Sequence, residues 1–160
     1  MFSVGEKIVY PMHGAGTIEA IEEREMEGEK CAYYVLLIPK NGIRIMIPVG
    51  RATQIGVREV IRQSEVDDVN ETLRGKSTEM AKIWNRRYRD NLEKLKTGKI
   101  TNVAEVVRDL MRVDNEKRLS TGERKMLSNA KQILISELTL ACEKGEAELN
   151  VLIEKAVMTY

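Results

Sequence analysis

The chain has 160 residues, 42% of them hydrophobic and 32% charged, enough apolar material for one ordinary domain or two small ones. Its formal net charge is only +1, so the total argues neither for nor against a polyanionic partner. No run approaches the roughly 18 apolar residues of a membrane span, the start lacks the basic leader and apolar core of a signal peptide, and Cys31 and Cys142 show no metal-ligand spacing. These exclusions point to a soluble cytoplasmic protein with two reduced thiols.

Residues 1–56 read with period two and are punctuated by turn formers. Lys7-Ile8-Val9-Tyr10 is strand-like and stops at Pro11; Gly14 and Gly16 bracket a turn, and Thr17 to Ile21 makes a second strand. Glu25 to Gly28 reads as a polar turn, and Tyr33 to Ile38 is a β-rich run ending at Pro39. Asn41-Gly42 is a strong hairpin signal, because a type I′ turn needs positive φ at both central residues. Ile43 to Ile47 then alternates and stops at Pro48, and Thr53 to Ile55 could supply a last short strand. Short strands in so few residues predict a small antiparallel barrel of the SH3 or Tudor shape, whose closure hides its edges.

From Val57 onward the period becomes that of a helix. Ser64 is placed to cap a helix running to Arg74, with Gly75 as its stop. Ser77 or Thr78 could cap the next, which carries Met80, Ile83, Trp84, Leu92 and Leu95 and stops at Gly98. Asn102 with Glu105, and Ser120 with Glu123, have the spacing of capping boxes. The second opens a long helix through Leu138, and a last helix follows Gly145. The expected fold class is α+β: residues 1–56 as the barrel, residues 57–160 as a compact all-α bundle of about five helices.

The near-zero total hides an uneven distribution of charge. Lys82 to Lys99 carries seven basic side chains against two acidic ones, and basic residues again outnumber acids from Lys117 to Lys131. Such clusters recruit polyanions by releasing condensed counterions, whatever the base sequence. The bland reading is a solvated helix face. Against it, Arg86, Arg87 and Arg89 crowd around the single tryptophan, with few carboxylates placed to neutralise them. Helical spacing by itself favours a buried Trp84. An exposed indole could instead stack on a base or wedge between base steps, and periodicity leaves both open.

Little here suits catalysis. His13 is the single histidine, so no histidine relay can be built, and it sits in a Met-His-Gly-Ala-Gly turn where a structural role is expected. Gly14-Ala15-Gly16 lacks the rest of a dinucleotide fingerprint, and no phosphate-binding loop motif is present. No catalytic, metal or cofactor site is expected.

Val4-Gly5-Glu6-Lys7-Ile8-Val9-Tyr10-Pro11, through His13-Gly14 to Ile21-Glu22, resembles the N-terminal module of the CarD/CdnL bacterial transcription regulators. That module also occurs in transcription-repair coupling factor. Trp84-Asn85-Arg86-Arg87-Tyr88-Arg89, Leu92-Glu93-Lys94-Leu95, Ala104 to Leu110 and Leu119 to Leu127 look like the family's helical half. The resemblance covers nearly the whole chain, and the helical motifs are its specific part, because the coupling factor shares only the barrel. It implies a Tudor-like barrel that docks on the β subunit of bacterial RNA polymerase by extending one of its sheets. It also implies a helical domain that meets promoter DNA at the upstream edge of the melted bubble and slows bubble collapse.

Carried over by position, Trp84 is the minor-groove wedge, and Arg86, Arg87 and Arg89 hold phosphate or groove. Leu92 gives apolar support, and Arg124 and Lys125 form a second basic patch. Arg24, Met46 and Pro48 fall where the family contacts polymerase. Some members have arginine where this chain has Met46, which implies an apolar contact in place of a salt bridge. The resemblance suggests a monomer. Two other readings stand beside this one: a protein-binding adaptor without direct DNA contact, and a freestanding nucleic-acid binder that needs no polymerase.

Overall fold

The computed structural model describes residues 1–39 and 42–159. Strands β1 (Lys7–Tyr10), β2 (Gly14–Met26), β3 (Glu29–Ile38), β4 (Ile43–Pro48) and β5 (Arg58–Glu59) form one antiparallel sheet in the order β4-β3-β2-β1-β5. A one-turn helix, α1 (Ala52–Ile55), lies between β4 and β5; α2 (Val66–Arg74), α3 (Trp84–Lys96), α4 (Ile100–Glu116), α5 (Thr121–Cys142) and α6 (Glu146–Val157) follow. The fold is α+β, a small antiparallel sheet followed by a helical bundle, as the two hydrophobic periods require. None of its helices is long and apolar enough to cross a membrane, among the described residues.

Two cores form. Ile8, Ile18, Tyr34, Leu36 and Ile47 fill the barrel, joined by Ala52 of α1. The larger core surrounds α4, whose Val103, Val106, Val107 and Leu110 are almost fully enclosed by the helices around it. β1 is buried on both faces. Ile8 enters the barrel core, while Val9 and its cross-strand partner Ala15 are buried on the opposite face. There β2 packs on α5, and the Ala15 N–H donates to Ser136 Oγ at 2.9 Å.

A charged clamp closes the same seam. Arg58 of β5 meets Glu137 of α5 through two 2.7 Å bonds and donates to the Gly98 carbonyl from Nε at 3.1 Å and Nη2 at 2.8 Å. The Ile61 N–H also donates to Glu137, at 2.9 Å. Glu137 is 2% exposed, so these donors supply the hydrogen bonds that its buried oxygens cannot take from water.

Several local expectations resolve differently. Gly14 and Gly16 lie in β2 and not around a turn; the turn is Pro11 to His13. Gly16 is required for another reason, since a Cβ there would clash with the carbonyl of Leu37 on β3. Thr53 to Ile55 belongs to α1, because the Gly56 N–H, from a left-handed residue, closes the turn onto the Ala52 and Thr53 carbonyls. The last strand comes three residues later, so the sheet reaches Glu59 and Val57 does not begin a helix. Asn41 lies outside the described residues; its neighbour Gly42 has φ +67°.

Ser64 does not cap α2, since a 3-10 turn over Gln63–Glu65 leads into it; Gly75 does end it. Asn102 lies inside α4, where its amide donates to Thr97 Oγ1 at 2.9 Å. The Ser120–Glu123 cap forms as expected, with the Glu123 N–H donating to Ser120 Oγ at 3.3 Å.

Candidate nucleic-acid interface

Helix α3 begins at Trp84, six residues after the expected Ser77/Thr78 cap. Those hydroxyls accept instead from buried arginines of α4: Arg112 donates to Ser77 Oγ at 2.8 Å and Arg108 to Thr78 Oγ1 at 3.0 Å. Asp109 accepts from Arg108 at 2.9 Å and from the Thr78 N–H at 3.2 Å. Residues 75–83 are thereby held as a non-helical strap across α4, and the strap delivers Ile83 and Trp84 to one end of the bundle.

Trp84 is 56% exposed and Ile83 67%. The helical spacing that favours burial misleads at a specific place. Tyr88, Leu92 and Leu95 continue the apolar stripe and pack on the helical core, but Trp84 stands one turn earlier, where the stripe has run past the packed surface. Its indole is therefore available to a partner.

The three neighbouring arginines do different work. Arg86 and Arg89, three apart and on one side of α3, are exposed and unpaired with any carboxylate among the described residues. Arg87 points inward. Its guanidinium forms a two-pronged pair with Glu123 of α5, both bonds 2.6 Å, with the side chains 12% and 1% exposed. The hydrogen bonds from Arg87 hold the Glu123 carboxyl below its usual range; burial opposes them, while the charge of Arg87, the Ser120 hydroxyl and the charge of Lys117 assist. The expectation of few neutralising carboxylates thus misses Glu123, which cancels Arg87.

This pair seats the first turn of α5 against α3, so exposed Arg124 and Lys125 lie at the same end of the molecule as Trp84. Arg124 also donates to the Leu119 carbonyl at 3.3 Å. Leu92 is half-buried against the helical core.

On the barrel, register places Arg24, Met46 and Pro48 on one face. Arg24 lies opposite Cys31, while Tyr33 is flanked by Glu22 and Pro48, and Val35 by Ala20 and Met46. Because side chains alternate along each strand, these residues share the face opposite Tyr34, Leu36 and Ile47, which fill the core. Arg24 is exposed beside Glu22 at 3.4 Å, and β4, carrying Met46 and Pro48, is an edge of the sheet. Arg44, next along that face, spans to Glu19 in the β2 bulge with bonds of 2.7 and 3.0 Å. Among the described residues no group of His, Cys, Asp and Glu is arranged to hold a metal.

The sequence matches two families along its length: the CarD-like/TRCF RID domain over residues 2–61 and the CarD C-terminal domain over residues 68–154. The chain belongs to the CarD family. It is 44% identical over 151 residues to YdeB of Bacillus subtilis (strain 168), named as a candidate transcription factor, an alignment covering 94% of this chain and 97% of YdeB. The chain is thus a CarD-like transcription factor. In this CarD-family chain Trp84 and the basic segments are legible from sequence. The Glu123 partner and the buried Arg108–Asp109–Arg112 support are not, since no local spacing signals either.

Proposed function

We propose that the chain binds the β subunit of RNA polymerase through the outer face and free edge of β4. Its helical domain then stabilises the promoter open complex at the upstream edge of the bubble. The observation that carries this reading is the exposed indole of Trp84 at the first position of α3, with unpaired Arg86 and Arg89 beside it. Wedging a side chain between base steps costs a few kcal/mol, and less at a step next to melted DNA. Tethering to polymerase raises the local concentration of a DNA-contacting surface that is weak alone. A near-neutral chain suits that arrangement better than unaided binding to duplex.

Two measurements test the two halves. Trp84→Ala is expected to shorten open-complex lifetime with cognate polymerase by about tenfold, the scale of one base–aromatic stack; an unchanged lifetime with a folded variant removes the wedge. On the barrel, Met46→Glu is expected to abolish capture by an isolated polymerase β fragment while Met46→Leu retains it. Equal capture by both would move the contact away from β4.

A further inference from the structure

Helices α2 and α6 finish side by side, because Arg112 donates to the Leu73 and Gly75 carbonyls at the end of one and to the Val157 carbonyl at the end of the other. A cavity of about 300 Å³ opens between the two helices and shares no lining residue with the surface around Trp84. Its floor is apolar: Val69 and Leu73 of α2 and Leu149 and Ile153 of α6 are almost fully enclosed, and Leu152 beside them is 42% exposed. That volume stands at the small end of the range for small-molecule sites, about 300–1,000 Å³.

Charge is set unevenly around this floor. Arg74 and Lys155 stand in the last turns of α2 and α6, at the end where the helices meet. Lys144 precedes Gly145, the N-cap of α6, about 15 Å away along that helix. All three cations are exposed, and none pairs with a carboxylate among the described residues. Asp67, the one acid lining the cavity among the described residues, belongs to the first turn of α2, away from Arg74. One end of the cavity is therefore cationic and unopposed, while the other carries an acid. Helix dipoles draw cations to such ends, but they do not place an apolar cavity between them.

We propose that this cavity binds a small anionic amphiphile, with its carboxylate head on Arg74 and Lys155 and its aliphatic tail over Val69, Leu73, Leu149 and Ile153. A guanidinium takes a carboxylate through two parallel bonds, and the tail removes from water an apolar floor that the protein's own side chains leave uncovered. A partner helix suits the site less well, because it is held by apolar anchors over two turns or more. Leu152 is the one exposed large apolar side chain lining this cavity among the described residues. The inference does not depend on contact with DNA.

Decanoate serves as the probe, titrated into the full chain below its micellar concentration and followed by the amide shifts of a ¹H–¹⁵N spectrum. It is expected to give saturable shifts in α2 and α6 and to leave α3 unmoved. Butyrate, the same head on a short tail, should bind more than a hundredfold more weakly, since each buried methylene contributes about fourfold. Arg74→Glu/Lys155→Glu is expected to weaken decanoate by at least tenfold, the scale of a lost charge-assisted bond. The reference, Lys30→Glu/Arg51→Glu, makes the same change of charge at exposed positions of the barrel half and should bind as wild type does. All four positions are exposed, and unchanged spectra away from the substitutions confirm the fold. The site is overturned if decanoate gives no saturable shift or shifts residues outside α2 and α6. Equal binding of butyrate overturns the tail's place on the floor, and equal weakening in the two charge variants overturns the head's place on Arg74 and Lys155.

Discussion

Replacing Arg87 with alanine is expected to destabilise the protein by about 3–5 kcal/mol, the cost of leaving a buried carboxylate without its partner. Glu123 is 1% exposed and takes both of its short charged bonds from Arg87. Ser120 Oγ offers one further bond, at 3.1 Å, too little to hold a desolvated charge. Removing both members together, as Arg87→Met with Glu123→Met, leaves no orphaned charge and is expected to restore most of the stability.

The pH dependence follows from the direction of the carboxyl's shift. Glu123 titrates lower in the folded protein than in the unfolded chain. Its contribution is therefore complete above the ordinary carboxylate value, about 4.3, and is lost as pH falls through the depressed folded value. In Arg87→Ala the largest depressing influence is gone, leaving only the Ser120 hydroxyl and the charge of Lys117 against burial, which favours the protonated form. The stability gap between wild type and variant should narrow as pH is lowered from 7 to 4, measured by urea unfolding at each pH. A gap constant across that range would show that the pair is not what Arg87 supplies. If Arg87 only positions, the double methionine variant also recovers open-complex lifetime; a residue gripping phosphate would not be rescued.

Arg87 also shows what sequence can and cannot reveal. Signals that close within a turn are legible. The Ser120–Glu123 cap is a three-residue relation and forms, and the alternation of Ile45 with Met46 in β4 sorts core from surface directly. The bond from Arg87 to Glu123 spans 36 residues, and no period connects them. Trp84 fails in a different way. Its place on the apolar stripe is legible, but the end of the packed surface is a tertiary fact, and a stripe does not announce where its partner stops. Ser77 and Thr78 are legible as hydroxyls in search of a partner; the partners, Arg112 and Arg108, come from α4, more than 29 residues along the chain, and win over helix capping because a buried guanidinium has more to lose than a solvated N–H. Thr53 to Ile55 has strand-like residues but too few of them to outweigh the left-handed Gly56 that closes a helical turn.

Arg112→Met should cost about 4 kcal/mol and loosen the strap that carries Trp84. Arg112 is 3% exposed and stands where two helices end. It donates to the Leu73 carbonyl at 3.2 Å and the Gly75 carbonyl at 2.7 Å at the end of α2, and to the Val157 carbonyl at 3.0 Å at the end of α6. The last carbonyls of a helix have no partner within it and carry partial negative charge; a buried guanidinium meets both ends at once. Methionine fills the volume but donates nothing, so these acceptors are left without a partner in the interior. Arg112→Lys keeps the charge but not the fork of donors, and is expected to recover less than half of the loss. The single tryptophan reports the consequence. If the strap depends on Arg112, the indole of Arg112→Met gains rotational freedom, seen as lower fluorescence anisotropy under conditions where far-UV circular dichroism still shows a folded bundle. Unchanged anisotropy in a destabilised but folded variant would confine Arg112 to the helix ends and leave the placing of Trp84 to Arg108, Asp109 and the Arg87–Glu123 pair.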